Sequence, residues 1–199
     1  AYADYESIST KQYFDSKGVQ EVNDFFKAIR YPERVIYNDV TPASKESGTS
    51  FKANEKFIAF CKSGTDLYVP DLYESTGNIN LIRILPAIFK GIERNSMVIV
   101  NEFSSGLHNE LEEAVIRYFF HYSKQSQLFF TSHSTNLLNN AIIRPDQIYS
   151  IRFDYAKGGS VLSRFSDQNP REAQNTEKMY LNGVFDEVPN YNKFYTDDK

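Results

Sequence analysis

The chain has 199 residues, 41% hydrophobic and 24% charged, which suits one domain with a sizeable core, or a domain with a small appendage. Its formal net charge of −4 supplies no overall attraction to nucleic acid or to an anionic membrane. No stretch approaches the ~20 apolar residues that span a bilayer, and no basic, then apolar, then small-residue leader opens the chain. The single cysteine, Cys61, lies in an apolar run, cannot form an internal disulfide and suits a reducing cytoplasm.

Val19, Val22, Phe25, Phe26 and Ile29 recur at helical spacing and predict a helix over 19–30, ended by Tyr31-Pro32. Residues 41–50, TPASKESGTS, have no periodicity and read as a loop. Residues 1–50 therefore read as a helical segment with its linker, and 51–199 as the main lobe. Within that lobe, 57–61 and 66–69 predict a hairpin about Lys62-Ser63-Gly64-Thr65. Residues 75–94 form a strong amphipathic pattern, with Leu81, Leu85, Ile88 and Ile92 on one face, Ile82 and Phe89 beside them, and Pro86 expected to kink it.

Met97-Val98-Ile99-Val100 is wholly apolar, as in a strand buried on both faces. A helix over 108–122 leads to a second strand of the same kind over 128–131. Two such strands joined by a helix make a βαβ unit, hence a parallel sheet with a right-handed crossover. A final hairpin is expected from 148–153 and 160–164 around Lys157-Gly158-Gly159. The fold class is α/β.

Three segments could carry chemistry. The strand at 97–100 ends in Asn101-Glu102, at the sheet edge where open α/β folds bind ligands. In phosphate chemistry the first such polar residue helps hold Mg²⁺, and the second orients or deprotonates the attacking water. The next strand ends in Thr131-Ser132-His133, and an imidazole there can donate to a phosphate oxygen. Ser75 can cap the helix after it, whose first N–H groups face an anion, and Gly77 lets a phosphate approach the backbone. Singly, these also look like a polar turn, a solvated histidine and an ordinary cap. The crossover, however, brings Asn101, Glu102 and His133 to one edge.

The order of the segments carries more. Glu74-Ser75-Thr76-Gly77, then Val98 to His108 (VIVNEFSSGLH), then Thr131 to Leu138 (TSHSTNLL), resembles the AAA-type ATP-binding proteins of bacterial abortive-infection systems, whose heads are similar to ABC and SMC ATPases. The resemblance continues through Arg144 to Ile148 and Tyr180 to Pro189, and covers about residues 55–190. It implies the C-terminal lobe of an ABC/SMC-type P-loop ATPase head, a mainly parallel sheet flanked by helices. By this resemblance Ser75 and Gly77 belong to the signature segment that caps the γ-phosphate of ATP held by a partner subunit. Glu102 is the catalytic carboxylate, Asn101 stands at the Mg²⁺ position, Ser104 to His108, including Ser105, form the loop that couples two sites, and His133 senses the γ-phosphate. The implied cofactors are ATP and Mg²⁺. The implied partner is a second ATPase head (a homodimer partner or the N-terminal lobe), with nucleic acid or a toxin as further candidates, no membrane, and a role in phage defence or nucleic-acid handling.

Two departures stand out. The family's Asp is Asn101 here, a neutral and weaker partner for Mg²⁺. None of the nine glycines begins a G-x-x-x-x-G-K-[ST] loop, so nothing in this sequence cradles the β-phosphate. The start at Ala1 rather than Met fits a piece of a longer protein whose phosphate-binding lobe lies outside these residues. The expectation is an ATPase in that parent and little activity from this chain alone. A non-hydrolysing module acting through a partner, and a structural domain that has lost nucleotide, are the competing readings. A nuclease would need clustered acids, whereas Glu93, Glu102, Glu110, Glu112 and Glu113 lie mostly on helix faces.

Overall fold

The computed structural model describes residues 2–4, 9–39, 56–139, 142–168 and 176–184, with backbone alone for 2–4 and 39. The expected loop at 41–50 and the family-like stretch 185–189 lie outside these residues. The chain divides into two units, Ala1–His133 and Ser134–Lys199.

The first unit runs β1 (Tyr2–Asp4), α1 (Thr10–Lys17), α2 (Gln20–Ala28), β2 (Glu33–Asp39), β3 (Lys56–Lys62), β4 (Tyr68–Pro70), a 3-10 turn at Asp71–Tyr73, α3 (Thr76–Glu93), β5 (Met97–Val100), α4 (Asn109–Tyr122) and β6 (Gln127–Phe130). Two sheets result. One is parallel, in the order β1-β5-β6, and the other antiparallel, in the order β2-β3-β4. The parallel pair joined by α4 is the βαβ unit the apolar runs predict, and the β3–β4 hairpin turns where Gly64 takes φ 80°.

Strand β2 is not foreshadowed by apolar alternation, because Glu33, Arg34, Asn38 and Asp39 surround its few apolar residues. Its seven residues nevertheless pair along the whole of β3, Val35 opposite Phe60 and Ile36 opposite Ala59. This pairing crosses the 50/51 division drawn from composition, so residues 33–39 share a sheet with the main lobe.

Helix α3 supplies most of the core. Leu81, Ile82, Ile84, Leu85, Ala87, Ile88 and Phe89 are all buried. At about 1.5–3 kcal/mol for each fully buried large side chain, this helix is held by packing rather than propensity. Pro86 lies inside the continuous helix and is itself buried. Gly91 meets the sheet closely, since a Cβ there would stand 2.1 Å from Cγ2 of Val98 on β5. Val98 and Val100 are buried as expected. Strand β6 departs from expectation: it is the edge of this sheet among the described residues, and Phe129 is half-exposed rather than covered on both faces.

An aromatic cluster joins α2, α3 and α4. The Tyr118 ring lies 5.3 Å from Phe25 and 5.4 Å from Phe89, edge-on to both, and 4.5 Å from Tyr122.

The second unit carries 3-10 turns at Thr135–Leu138, Pro145–Gln147 and Phe165–Gln168, strands β7 (Tyr149–Asp154) and β8 (Gly159–Arg164), and helix α5 (Thr176–Leu181). The two strands form the expected antiparallel hairpin. Gly158 takes φ 63° in its turn, where a side chain would be strained.

Burial, then the carboxylates of α2 and the neighbouring Tyr122, push the Tyr118 phenol up to about 12 from its ordinary 10.0. The folded state therefore holds this proton where the unfolded chain releases it. The stabilisation is fully present below pH 10 and declines as pH rises toward about 12. Tyr118→Phe should flatten the alkaline loss of stability in that window, read as the urea midpoint against pH.

Candidate functional site

The turn after β5 is built by hydrogen bonds from a single residue. Thr131, just past β6, donates its N–H to the Val100 carbonyl at 3.0 Å and accepts the Phe103 N–H on its own carbonyl at 2.9 Å. Its hydroxyl donates to Oδ1 of Asn101 at 2.8 Å and accepts the Glu102 N–H at 3.0 Å. Four bonds thus fix Val100 to Phe103 against the next strand. Phe103 turns inward and packs on Phe130, with centroids 4.9 Å apart. Glu102 is left pointing to solvent in the left-handed region, at φ 55°. A non-glycine residue there costs about 1–2 kcal/mol, which the Thr131 bonds and Phe103 burial offset.

At this edge Nε2 of His133 lies 3.4 Å from Oε1 of Glu102, both side chains exposed. The contact is an ion pair only when the imidazole is protonated. Beside it the Ser104 and Ser132 hydroxyls hydrogen-bond each other. Two parallel strands therefore deliver a carboxylate and an imidazole side by side at their C-terminal ends.

The start of α3 is held to the loop after β5. Ser75 caps the helix, its hydroxyl accepting the Asn78 N–H at 3.2 Å. Gly77 is buried, and a Cβ on it would stand 2.2 Å from the Gly106 carbonyl oxygen. The space on its Cβ side is filled by backbone of its own chain. Gly106 itself has φ 72°. Asn80 adds a side-chain bond, donating to the Ser105 carbonyl at 2.7 Å. The helix start and the loop 104–106 are thus one docked assembly. His108 stands at the far end of that loop as the N-terminal residue before α4, exposed, its carbonyl accepting the Leu111 and Glu112 N–H groups.

Under the helix start is a polar network. Asn78 is buried; its amide donates to Glu33 at 2.7 Å and Glu74 at 3.0 Å, and its oxygen accepts from the Tyr31 hydroxyl. Glu74 also accepts the Ser75 N–H at 2.7 Å. Burial, and then the Glu74 carboxylate, push the Glu33 carboxyl above its ordinary range. Burial and the Glu33 charge likewise raise the Tyr31 phenol.

Asn101, Glu102 and His133 come together as their strand positions imply, and the segment of Ser75 and Gly77 meets that of Ser105. Thr131, Asn78 and Asn80 were not singled out from sequence. For Thr131 a signal existed: the parallel register pairs Val100 with Phe130, so the next residues along, 101 and 131, must face each other.

Residues 7–139 match the model of the family described as "AAA domain, putative AbiEii toxin, Type IV TA system". The chain belongs to this family. No curated protein matches the sequence. Among solved structures, this AAA-domain protein is similar to one from work on the "ATP-driven dimerization and DNA stimulated activation of SMC ATPases", with TM-score 0.55 and 14% identity over 91% of this chain and 99% of that one. At that identity the likeness is one of fold: an SMC-type ATPase head. The family match ends one residue after the 3-10 turn at Thr135–Leu138, and so takes in all three segments around the site.

The geometry yields two expected outcomes. Gly77→Ala forces the helix start away from the Gly106 carbonyl and should destabilise the fold by about 1–3 kcal/mol in urea denaturation. Because the Glu33 carboxyl is raised, its ionisation opposes folding: stability is highest below its ordinary 4.5 and falls as pH rises through the folded value. Glu33→Gln should therefore stabilise the protein at pH 7, with the gain vanishing near pH 4.

Proposed function

We propose that the chain is the C-terminal half of an ATP-binding and ATP-hydrolysing head that closes on a second head around nucleotide. The observation that carries this is the 3.4 Å approach of Glu102 and His133 at the C-terminal edge of two parallel strands. In this role Glu102 orients and deprotonates the attacking water, and His133 donates to a γ-phosphate oxygen. The helix start at Ser75 to Gly77 turns the positive end of its dipole toward the γ-phosphate of ATP held by the other head. Asn80 and the Gly77–Gly106 contact tie that capping segment to the 104–108 loop, where Ser105 and His108 face the partner. The SMC-type fold, from proteins described by ATP-driven dimerisation and DNA-stimulated activation, supports head pairing and makes nucleic acid a partner to test. The family description supports a part in abortive infection, hence phage defence. No helix among the described residues is long and apolar enough to cross a membrane.

Asn101 is a weaker partner for Mg²⁺ than a carboxylate would be. Asn101 is neutral, and its oxygen already accepts from Thr131 at 2.8 Å. Among the described residues no three His, Cys, Asp or Glu side chains converge. In this reading the ion and the β-phosphate are held by a separate segment carrying the G-x-x-x-x-G-K-[ST] loop, which this sequence lacks.

The same Asn101–Thr131 bond favours a second reading, in which the chain is a non-hydrolysing module that completes a partner's site. Calorimetric titration of Mg·ATP into the chain alone should show no saturable binding, whereas a protein that also carries the phosphate-binding lobe should bind. There Glu102→Gln should retain ATP and lower turnover by roughly 10²–10⁴-fold. Unchanged turnover in that variant would select the non-hydrolysing module, and no binding by either protein would sink the nucleotide reading.

A further inference from the structure

The β7–β8 hairpin of the second unit presents its side chains with polarity reversed. On one face the register sets Tyr149 opposite Arg164, Ile151 opposite Leu162, and Phe153 opposite Ser160. Tyr149, Ile151, Phe153 and Leu162 are each between 46% and 65% exposed. On the other face Ser150 is buried, and Arg152, Asp154 and Ser163 are partly covered. Tyr155 in the turn, 91% exposed, extends the apolar face by packing edge-on against Phe153 at 5.0 Å. If a large aromatic buries ~150–250 Å² when covered, these five side chains leave on the order of 500 Å² in one patch. A patch of that size is at the upper end of what soluble monomers leave open and is often functional, and a two-stranded hairpin is marginal without a covering layer.

We propose that this face binds the same face of a second copy of the chain, without nucleotide. The register makes the face self-complementary. A two-fold axis parallel to the strands, midway between sheets packed ~10 Å apart, lays β7 of one copy over β8 of the other and keeps each level. Ile151 then meets Leu162 of the second copy at the centre. At the turn end the bulky Phe153 covers the small Ser160. At the other end Arg164, whose guanidinium already lies 5.2 Å from the Tyr149 ring centroid, gains the second copy's Tyr149 ring on its free side. Arg164 is the single charged side chain on this face, so nothing on it recruits nucleic acid or an acidic peptide. An area of ~500 Å² from each copy is below the ~800 Å² of a standard interface, so the dimer is weak and reversible. The contact uses none of Glu102, His133 and Ser75, and stands or falls independently of the ATP reading.

Sedimentation velocity of the 199-residue chain without nucleotide, from roughly 5 to 200 µM, should show a monomer–dimer equilibrium that added Mg·ATP leaves unchanged. Ile151→Lys and, separately, Leu162→Lys should each weaken it by roughly thirtyfold with unchanged circular dichroism. In a mixture of Ile151→Cys and Leu162→Cys proteins, a short bismaleimide should yield a mixed product that joins one chain of each kind. A wild-type chain that stays monomeric overturns the proposal and leaves the face to a different polypeptide. A dimer that survives both lysine substitutions overturns it as well. Should a lysine variant lose its fold, the cross-link decides, and absence of the mixed product overturns the proposal.

Discussion

Helix α3 lies against the parallel sheet and the loop beyond it at a distance that glycine alone permits. Near its C-terminal end Gly91 admits the Val98 side chain, and in its first turn Gly77 admits the Gly106 carbonyl. A methyl group at either place would collide with a buried valine or with backbone. Because the helix is pinned at both ends, its capping residue, its leftover N–H groups and Asn80 hold a fixed position relative to the loop after β5. That position makes the start of α3 and the carboxylate turn one piece of structure.

The carboxylate turn has its own lock. Thr131 binds Asn101, Glu102 and Phe103 at once, and Glu102 is held in a backbone conformation it would not choose unaided. The side chain that would do the chemistry is exposed, while its neighbour Phe103 is buried and anchors the turn. Strain at Glu102 is thus supported by packing one residue away. One of these bonds, from the Thr131 hydroxyl, is accepted by the side-chain oxygen of Asn101, which sets this turn apart from one built around a free carboxylate.

Beneath α3, Asn78 accepts one hydrogen bond and donates two, to carboxylates that repel each other. Glu33 enters this network from β2, in the antiparallel sheet. The helix start is therefore fixed from both sheets, by backbone contact on one side and by a buried amide on the other.

Periodicity in the chain determined the helices at 20–28, 76–93 and 109–122, the βαβ unit and both hairpins, because each has an apolar pattern that local geometry must bury. The spacing of Asn101, Glu102 and His133 after two apolar strands was enough to bring them to one edge. The features that stayed hidden depended on contacts between distant segments. Strand β2, with few apolar residues, is a strand because β3 lies beside it, and β6 is half-exposed because it is the edge of its sheet. The meaning of Gly77, the four bonds of Thr131 and the reversed hairpin face required the neighbours to be in place. A sequence specifies which groups a chain carries, but only packing decides which of them are covered, which are paired and which are left to face a partner.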